Sequence, residues 1–298
     1  MRLNFTTFRK SLFMLAAVAV LTSGCGNDAA KDGDELPEVD STQTTIVNIN
    51  GEIFSIPSPI QMAVLIKNSG ANYTKEILNA PSNSSKYTNN FAKALNLGIY
   101  GADLGYVTMY DQAQDAIGYI NSAKKLATEL NISNAFDNST IERFTKNSGN
   151  KDSMLVLTSV AYRTIDSYLK TNERNDISGL VLAGGWIEGL YFATNVYKVK
   201  QNDEVKRRIA EQKSSLQSLI KLLTQFYSQP EYTEFVDSLN DLSTVFDGVN
   251  FKYIYEKPTT DADKKLTVIN SKSEVSITPE QIESISKKIS DIRAKIVR

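Results

Sequence analysis

Histidine is absent from all 298 residues, and cysteine occurs once, as Cys25. The first absence excludes a serine-histidine-aspartate triad, an imidazole base and any histidine metal ligand within this chain. The second excludes an internal disulfide and a multi-thiolate metal site. Tryptophan is as scarce, with Trp186 the single copy. No metal or cofactor is expected, and any chemistry must use carboxylates, hydroxyls, lysines or the 14 tyrosines. Charge of one sign is also lacking: 33 basic residues face 34 acidic ones. Without a basic surplus, nucleic acid is not an expected partner. What is present suits a sizeable folded core, with 41% hydrophobic and 22% charged residues.

The chain begins MRLNFTTFRKSLFMLAAVAVLTSGC, with Arg2, Arg9 and Lys10 ahead of an apolar run from Leu12 to Leu21. A charged start, a run too short for a comfortable span of roughly 20 residues, and a small-residue end predict a secretory signal peptide over residues 1–24. Thr22-Ser23-Gly24-Cys25 resembles the lipobox of bacterial lipoproteins, although threonine stands where leucine is usual. The resemblance implies cleavage before Cys25 and a diacylglyceryl group on its sulfur. Gly26, where aspartate would favour inner-membrane retention, implies the outer membrane of a Gram-negative envelope. The expected membrane partner is therefore reached through lipid on Cys25, with the leaflet left open. Loss of residues 1–24 leaves 30 basic against 34 acidic residues. Residues 26–45 are polar, acidic and free of aromatics, as a solvated tether requires.

The remainder, residues 46–298, reads as one mainly α domain, a bundle of about eight to ten helices with a small β-hairpin near the C-terminus. Its centre is the apolar stretch Ile177 to Lys198, which matches Ala94 to Tyr110 in make-up: glycine and alanine at helical spacing, and a carboxylate followed three residues later by tyrosine. When one stretch is laid on the other, Asp103 and Tyr106 correspond to Glu188 and Tyr191. Two close-packed central helices are expected. Around them, alternation about Asn50-Gly51 predicts a hairpin, helices are expected near Ile60 and from Tyr73 to Leu78, and Ala80 to Asn90 reads as loop. Further helices are predicted over Gln112–Leu130, Thr140–Lys146, Asp152–Thr171, Asp203–Tyr227 and Pro230–Phe246. Phe251, Tyr253 and Tyr255 alternate with polar residues and are expected to pair with Leu266–Ile269, a hairpin within 251–270. A capping box at Thr278-Pro279-Glu280-Gln281 starts a C-terminal helix over 278–297, whose isoleucine stripe is expected to dock on the domain's own core.

Two roles for the central acids follow. In one, Asp103 and Glu188 converge with Tyr100, Tyr106, Trp186 and Tyr191 to line a ligand cleft, and in its enzymatic form they act as acid and base on glycans or cell-wall material. In the other, each acid is satisfied internally by a tyrosine hydroxyl or by Arg143, Arg163 or Arg174. The favoured function is non-enzymatic: binding, scaffolding or assisting another envelope component, with an envelope protein or a glycan as partner.

Overall fold

The computed structural model describes the strands 45–49 and 52–56 and residues 59–133 and 138–298. The signal peptide, Cys25, the tether as far as residue 44 and the Asn50-Gly51 turn lie outside the described residues. Within them the protein is mainly helical. Strands β1 (Thr45–Ile49) and β2 (Glu52–Ile56) pair antiparallel ahead of α1 (Pro59–Asn68). The layer of helices is completed by α2 (Asn90–Met109), α3 (Ala113–Glu129), α4 (Asn138–Lys146), α5 (Lys151–Thr171), α6 (Asn175–Val199), α7 (Asp203–Thr224), α8 (Pro230–Phe246) and α9 (Pro279–Ile296).

The sequence between α1 and α2 is shorter in helix than its residues suggest. Only Lys75–Ile77 forms a 3-10 turn where a longer helix was expected, and a second 3-10 turn, Pro81–Ser85, sits inside the expected loop. Proline at the first position and serine and asparagine after it favour such a local turn over a ladder of helical bonds.

Helices α2 and α6 cross at the centre, and glycine makes the crossing close. A Cβ on Gly184 would overlap the Leu95 carbonyl, and one on Gly98 would overlap the Val181 carbonyl. The backbones are in contact at these points, with no room for a side chain between them. Helix α6 is long and apolar enough to cross a membrane by composition, yet most of it is buried among its neighbours. Its apolar faces are covered by α2, α1, α7, α5 and α9. That all-round contact is why it carries no polar face.

Polar residues set the ends of the elements. Asn89, Asn150 and Asn202 accept hydrogen bonds from the first-turn amides of α2, α5 and α7, and Thr278 with Gln281 completes the capping box of α9. Asp111, Asn131 and Glu173 take positive φ after α2, α3 and α5 and turn the chain with backbone bonds of the Schellman kind. The isoleucine stripe of α9 docks inward: Ile282, Ile285, Ile289 and Ile292 are all buried.

The C-terminal β element departs from the expected pairing. Strand β3 (Asn250–Ile254) pairs with β6 (Lys272–Ser276), so Phe251 faces Val275 and Tyr253 faces Ser273. Leu266–Val268 forms β5, whose partner is β4 (Thr259–Asp261). The hairpin is therefore longer than 251–270 and has two successive ladders. Alternation located the strands but not their register, because neither face is fully buried to fix it.

Gly184→Ala is expected to cost more than about 3 kcal/mol, the upper end of overpacking penalties, because backbone rather than a movable side chain stands in the way. Gly149, with open space around it, serves as the control. Urea unfolding of Gly184→Ala and Gly149→Ala checks this, and equal stabilities would contradict the close crossing.

Candidate functional site

The two central acids do meet, but in a sealed interior. Asp103 on α2 and Glu188 on α6 are both 0% exposed. Glu188 is held by Arg293 of α9, with Nε 2.5 Å from Oε2 and Nη2 2.6 Å from Oε1. This is a two-pronged pairing, suited to the planar guanidinium. Arg293 Nη2 also donates to the Ile77 carbonyl at 2.9 Å, and the guanidinium lies over the Tyr191 ring, 4.3 Å from its centre. The arginine that satisfies the buried acid is thus on the last helix. Of the three arginines considered from sequence, Arg174 donates to the Leu130 carbonyl and Arg163 sits on a surface depression of α5.

Neither carboxylate oxygen of Asp103 has a hydrogen-bond donor. Burial and then the neighbouring Glu188 charge push its pKa well above the usual carboxylate range, against the opposing pull of Arg293. Burial also raises Glu188, but Arg293 counters it through charge and hydrogen bonds. For Arg293, burial disfavours the charge, and Glu188 outweighs it to keep the guanidinium protonated. A proton on Asp103 resolves the arrangement. The remaining −1 on Glu188 then balances the +1 on Arg293.

Neutral hydrogen bonds extend this centre. Asn96 Nδ2 donates to the Ile296 carbonyl at 2.9 Å, and Asn79 Nδ2 donates to Asn96 Oδ1 at 3.1 Å and to the Tyr87 hydroxyl at 2.9 Å. The end of α9 is thereby tied to α2 and to the segment before it.

The aromatic residues nominated with these acids do not line one cleft. Tyr100 donates to the Ala80 carbonyl at 2.9 Å, and the Tyr106 hydroxyl accepts from the Thr74 amide at 3.1 Å. Trp186 points to another side of α6 and donates to Gln212 of α7 at 2.9 Å. Tyr191, half-buried, forms the floor under Arg293. Tyr100, Tyr106 and Trp186 are 0 to 3% exposed. These side chains use their polar atoms on the protein itself.

An open site lies elsewhere. A cavity of about 420 Å³ forms where the N-terminal ends of α2, α6 and α8 meet, a size within the usual range for small-molecule sites. Asn89, Asn90 and Phe91 come from α2, Arg174 and Asp176 from α6, and Gln229, Glu231 and Tyr232 from α8. Phe91 and Tyr232 meet edge to face with centroids 5.1 Å apart. The buried Tyr232 hydroxyl has no hydrogen-bond partner. Burial, followed by the charges of Asp176 and Glu231, raises the pKa of that phenol and keeps it protonated. Carboxamides, a carboxylate pair, a guanidinium and an aromatic edge on one concave surface can bind a polar, hydroxyl-rich molecule. The sequence signal was faint: Asn89 fell within the expected loop and Gln229 just ahead of the helix expected at Pro230, and only the fold brings the three helix starts together.

No protein-family model matches this chain, and no curated protein or solved structure matches it significantly.

Asp103 keeps its proton in the folded state while an unfolded aspartate loses it near pH 4. The sign follows: stability from this group is complete below that pH and is lost as pH rises toward the raised folded value. Asp103→Asn is therefore expected to gain on the wild type by about 1.4 kcal/mol per pH unit over that window. Urea unfolding at several pH values measures the difference, and a constant gap would contradict a protonated Asp103. Arg293→Met is expected to cost about 3–5 kcal/mol by leaving Glu188 buried and unpaired, with much of it recovered in Arg293→Met/Glu188→Leu.

Proposed function

We propose that this is a lipid-anchored protein of the bacterial cell envelope with a non-enzymatic binding or accessory role, and that its ligand site is the cavity at the ends of α2, α6 and α8. The cavity carries the reading: it is a concave place where carboxamides, two carboxylates and Arg174 surround space for a small molecule. Its carboxamides and paired carboxylates suit the alternating donors and acceptors of a glycan better than a simple anion, since Asp176 and Glu231 offset the positive helix ends and Arg174. The enzymatic alternative places acid and base on Asp103 and Glu188. Both are out of reach of solvent, and Glu188 is committed to Arg293. An acid/base pair on a glycan needs a cleft between the carboxyls that admits substrate. The burial therefore favours binding over turnover.

The anchor rests on the signal and lipobox-like residues, with the mature chain starting at Cys25. Palmitate labelling in a Gram-negative host is expected to mark the wild type and to vanish in Cys25→Ser; labelling that survives in Cys25→Ser would contradict it. For the ligand, residues 26–298 contain every described element and suit a thermal-unfolding screen against envelope oligosaccharides and peptidoglycan fragments. At one hundred times Kd, a ligand selective for the folded state adds about 2.7 kcal/mol. The expected result is a raised Tm for at least one glycan, weakened by Gln229→Ala and by Glu231→Gln. A shift that both variants leave intact would place the ligand elsewhere.

A further inference from the structure

The hairpin from Asn250 to Ser276 is the most apolar exposed feature among the described residues. Large hydrophobic side chains exposed to solvent are concentrated there: Phe251, Tyr253, Tyr255, Leu266, Val268 and Ile269, with Tyr253 65%, Tyr255 69% and Ile269 76% exposed. Outside it, exposed side chains of this size are scattered singly, at Ile117, Val199 and Tyr227. Single exposures are ordinary on a protein surface, whereas a cluster marks a contact. Among the described residues, helices do not cover this cluster. The root is fixed, because Lys213 of α7 donates to the Val249 carbonyl at 2.9 Å and to the Asp247 carbonyl at 3.3 Å, and Val275 packs against the core. Beyond the root the strands pair only with each other.

We propose that this hairpin is a second membrane contact, which lays its tyrosines and aliphatic tips into the headgroup region of the bilayer that carries the Cys25 anchor. The inference rests on the lipid anchor of the proposed function. Two observations select lipid as the occupant. The first is composition: tyrosine bodies with polar tips are interleaved with Lys252, Lys257, Lys264, Lys265 and Lys272, against the acids Glu256, Asp261, Asp263 and Glu274 in the same segment, where Lys264 pairs with Asp261 and Lys272 with Glu256. The segment is thus net positive in a chain of net charge −1. Tyrosine at the headgroup level and lysine reaching to anionic phosphate are the side chains that a membrane interface favours.

The second observation is where the anchored end of the chain arrives. Strand β2 rests on α7, and β6 touches the same helix. The tether runs from Cys25 to the start of β1 at Thr45. The chain that follows the proposed anchor therefore enters the described domain on the helix that also carries the root of the hairpin.

The test uses residues 25–298, which contain all described elements, coupled through the single thiol of Cys25 to a maleimide-bearing lipid in phosphatidylethanolamine–phosphatidylglycerol vesicles. Chemical coupling supplies the anchor whether or not the cell lipidates Cys25, so failure of the hairpin contact is separate from failure of palmitate labelling. Tyr255→Trp is the probe, and Trp186, buried against Gln212, contributes a constant background. The expected result is a shift of the added emission to shorter wavelength on the vesicles and its quenching by brominated acyl chains. Both effects are lost when Tyr253, Leu266 and Ile269 are replaced by serine, in a variant whose melting temperature is unchanged. Water-like emission from the anchored Tyr255→Trp chain overturns the proposal. A short-wavelength probe already present without vesicles, together with a mass of two chains, also overturns it and assigns the hairpin to a contact between copies.

Discussion

Three charged side chains from three parts of the sequence meet inside this bundle, and their neutrality requires one extra proton. Asp103, Glu188 and Arg293 join α2, α6 and α9, which lie far apart along the chain. Burying a charge is costly unless it is paired, so the pairing dictates where α9 must lie. The isoleucine stripe supplies apolar attraction for that helix, but the stripe alone would tolerate a slide of one turn. Arg293 reaching Glu188 and Ile77, and Asn96 reaching Ile296, do not tolerate it. Hydrophobic burial thus gives the docking most of its strength, and the polar contacts give it one register.

The same centre separates scaffold from function. Residues that look chemically suggestive in sequence, two acids with tyrosines and a tryptophan, are consumed in holding the helices together. The open features among the described residues are at the edges: the cavity at three helix starts and the exposed hairpin. This division is physically reasonable, because a rigid, closed interior lets exposed groups keep a fixed geometry. The close α2–α6 crossing at Gly98 and Gly184 contributes to that rigidity.

Much of the fold was legible in the sequence. The helical spacing of apolar residues in Asp203–Tyr227 and in the C-terminal helix located those helices, and the capping box at Thr278 set a boundary. The pairing of the two glycine-rich stretches was legible as well, since small residues at helical spacing have few uses other than close approach. Gln212 is one polar residue among many in the expected Asp203–Tyr227 helix; its partner, the Trp186 indole, became visible once α6 and α7 were placed side by side. Arg293 was hidden for the same reason. It stands among exposed lysines and serines near the chain end, and nothing local distinguishes it from a solvated charge. The hairpin register was not legible because exposed strands lack the one-sided burial that fixes it. The cavity was least legible, since it is made from segments at 89–91, 174–177 and 229–232 that have no shared pattern.

The central claim is that burial beside Glu188 keeps a proton on Asp103 well above the pH at which a free aspartate ionises. Infrared difference spectroscopy on protein exchanged into heavy water reads it directly, because the carbonyl stretch of a buried carboxylic acid is separate from carboxylate bands. At neutral pH the wild type is predicted to show one such acid band that is missing from Asp103→Asn and still present in Tyr232→Phe. A wild-type spectrum with only carboxylate bands, or an acid band that survives in Asp103→Asn, would contradict the account of the charge centre.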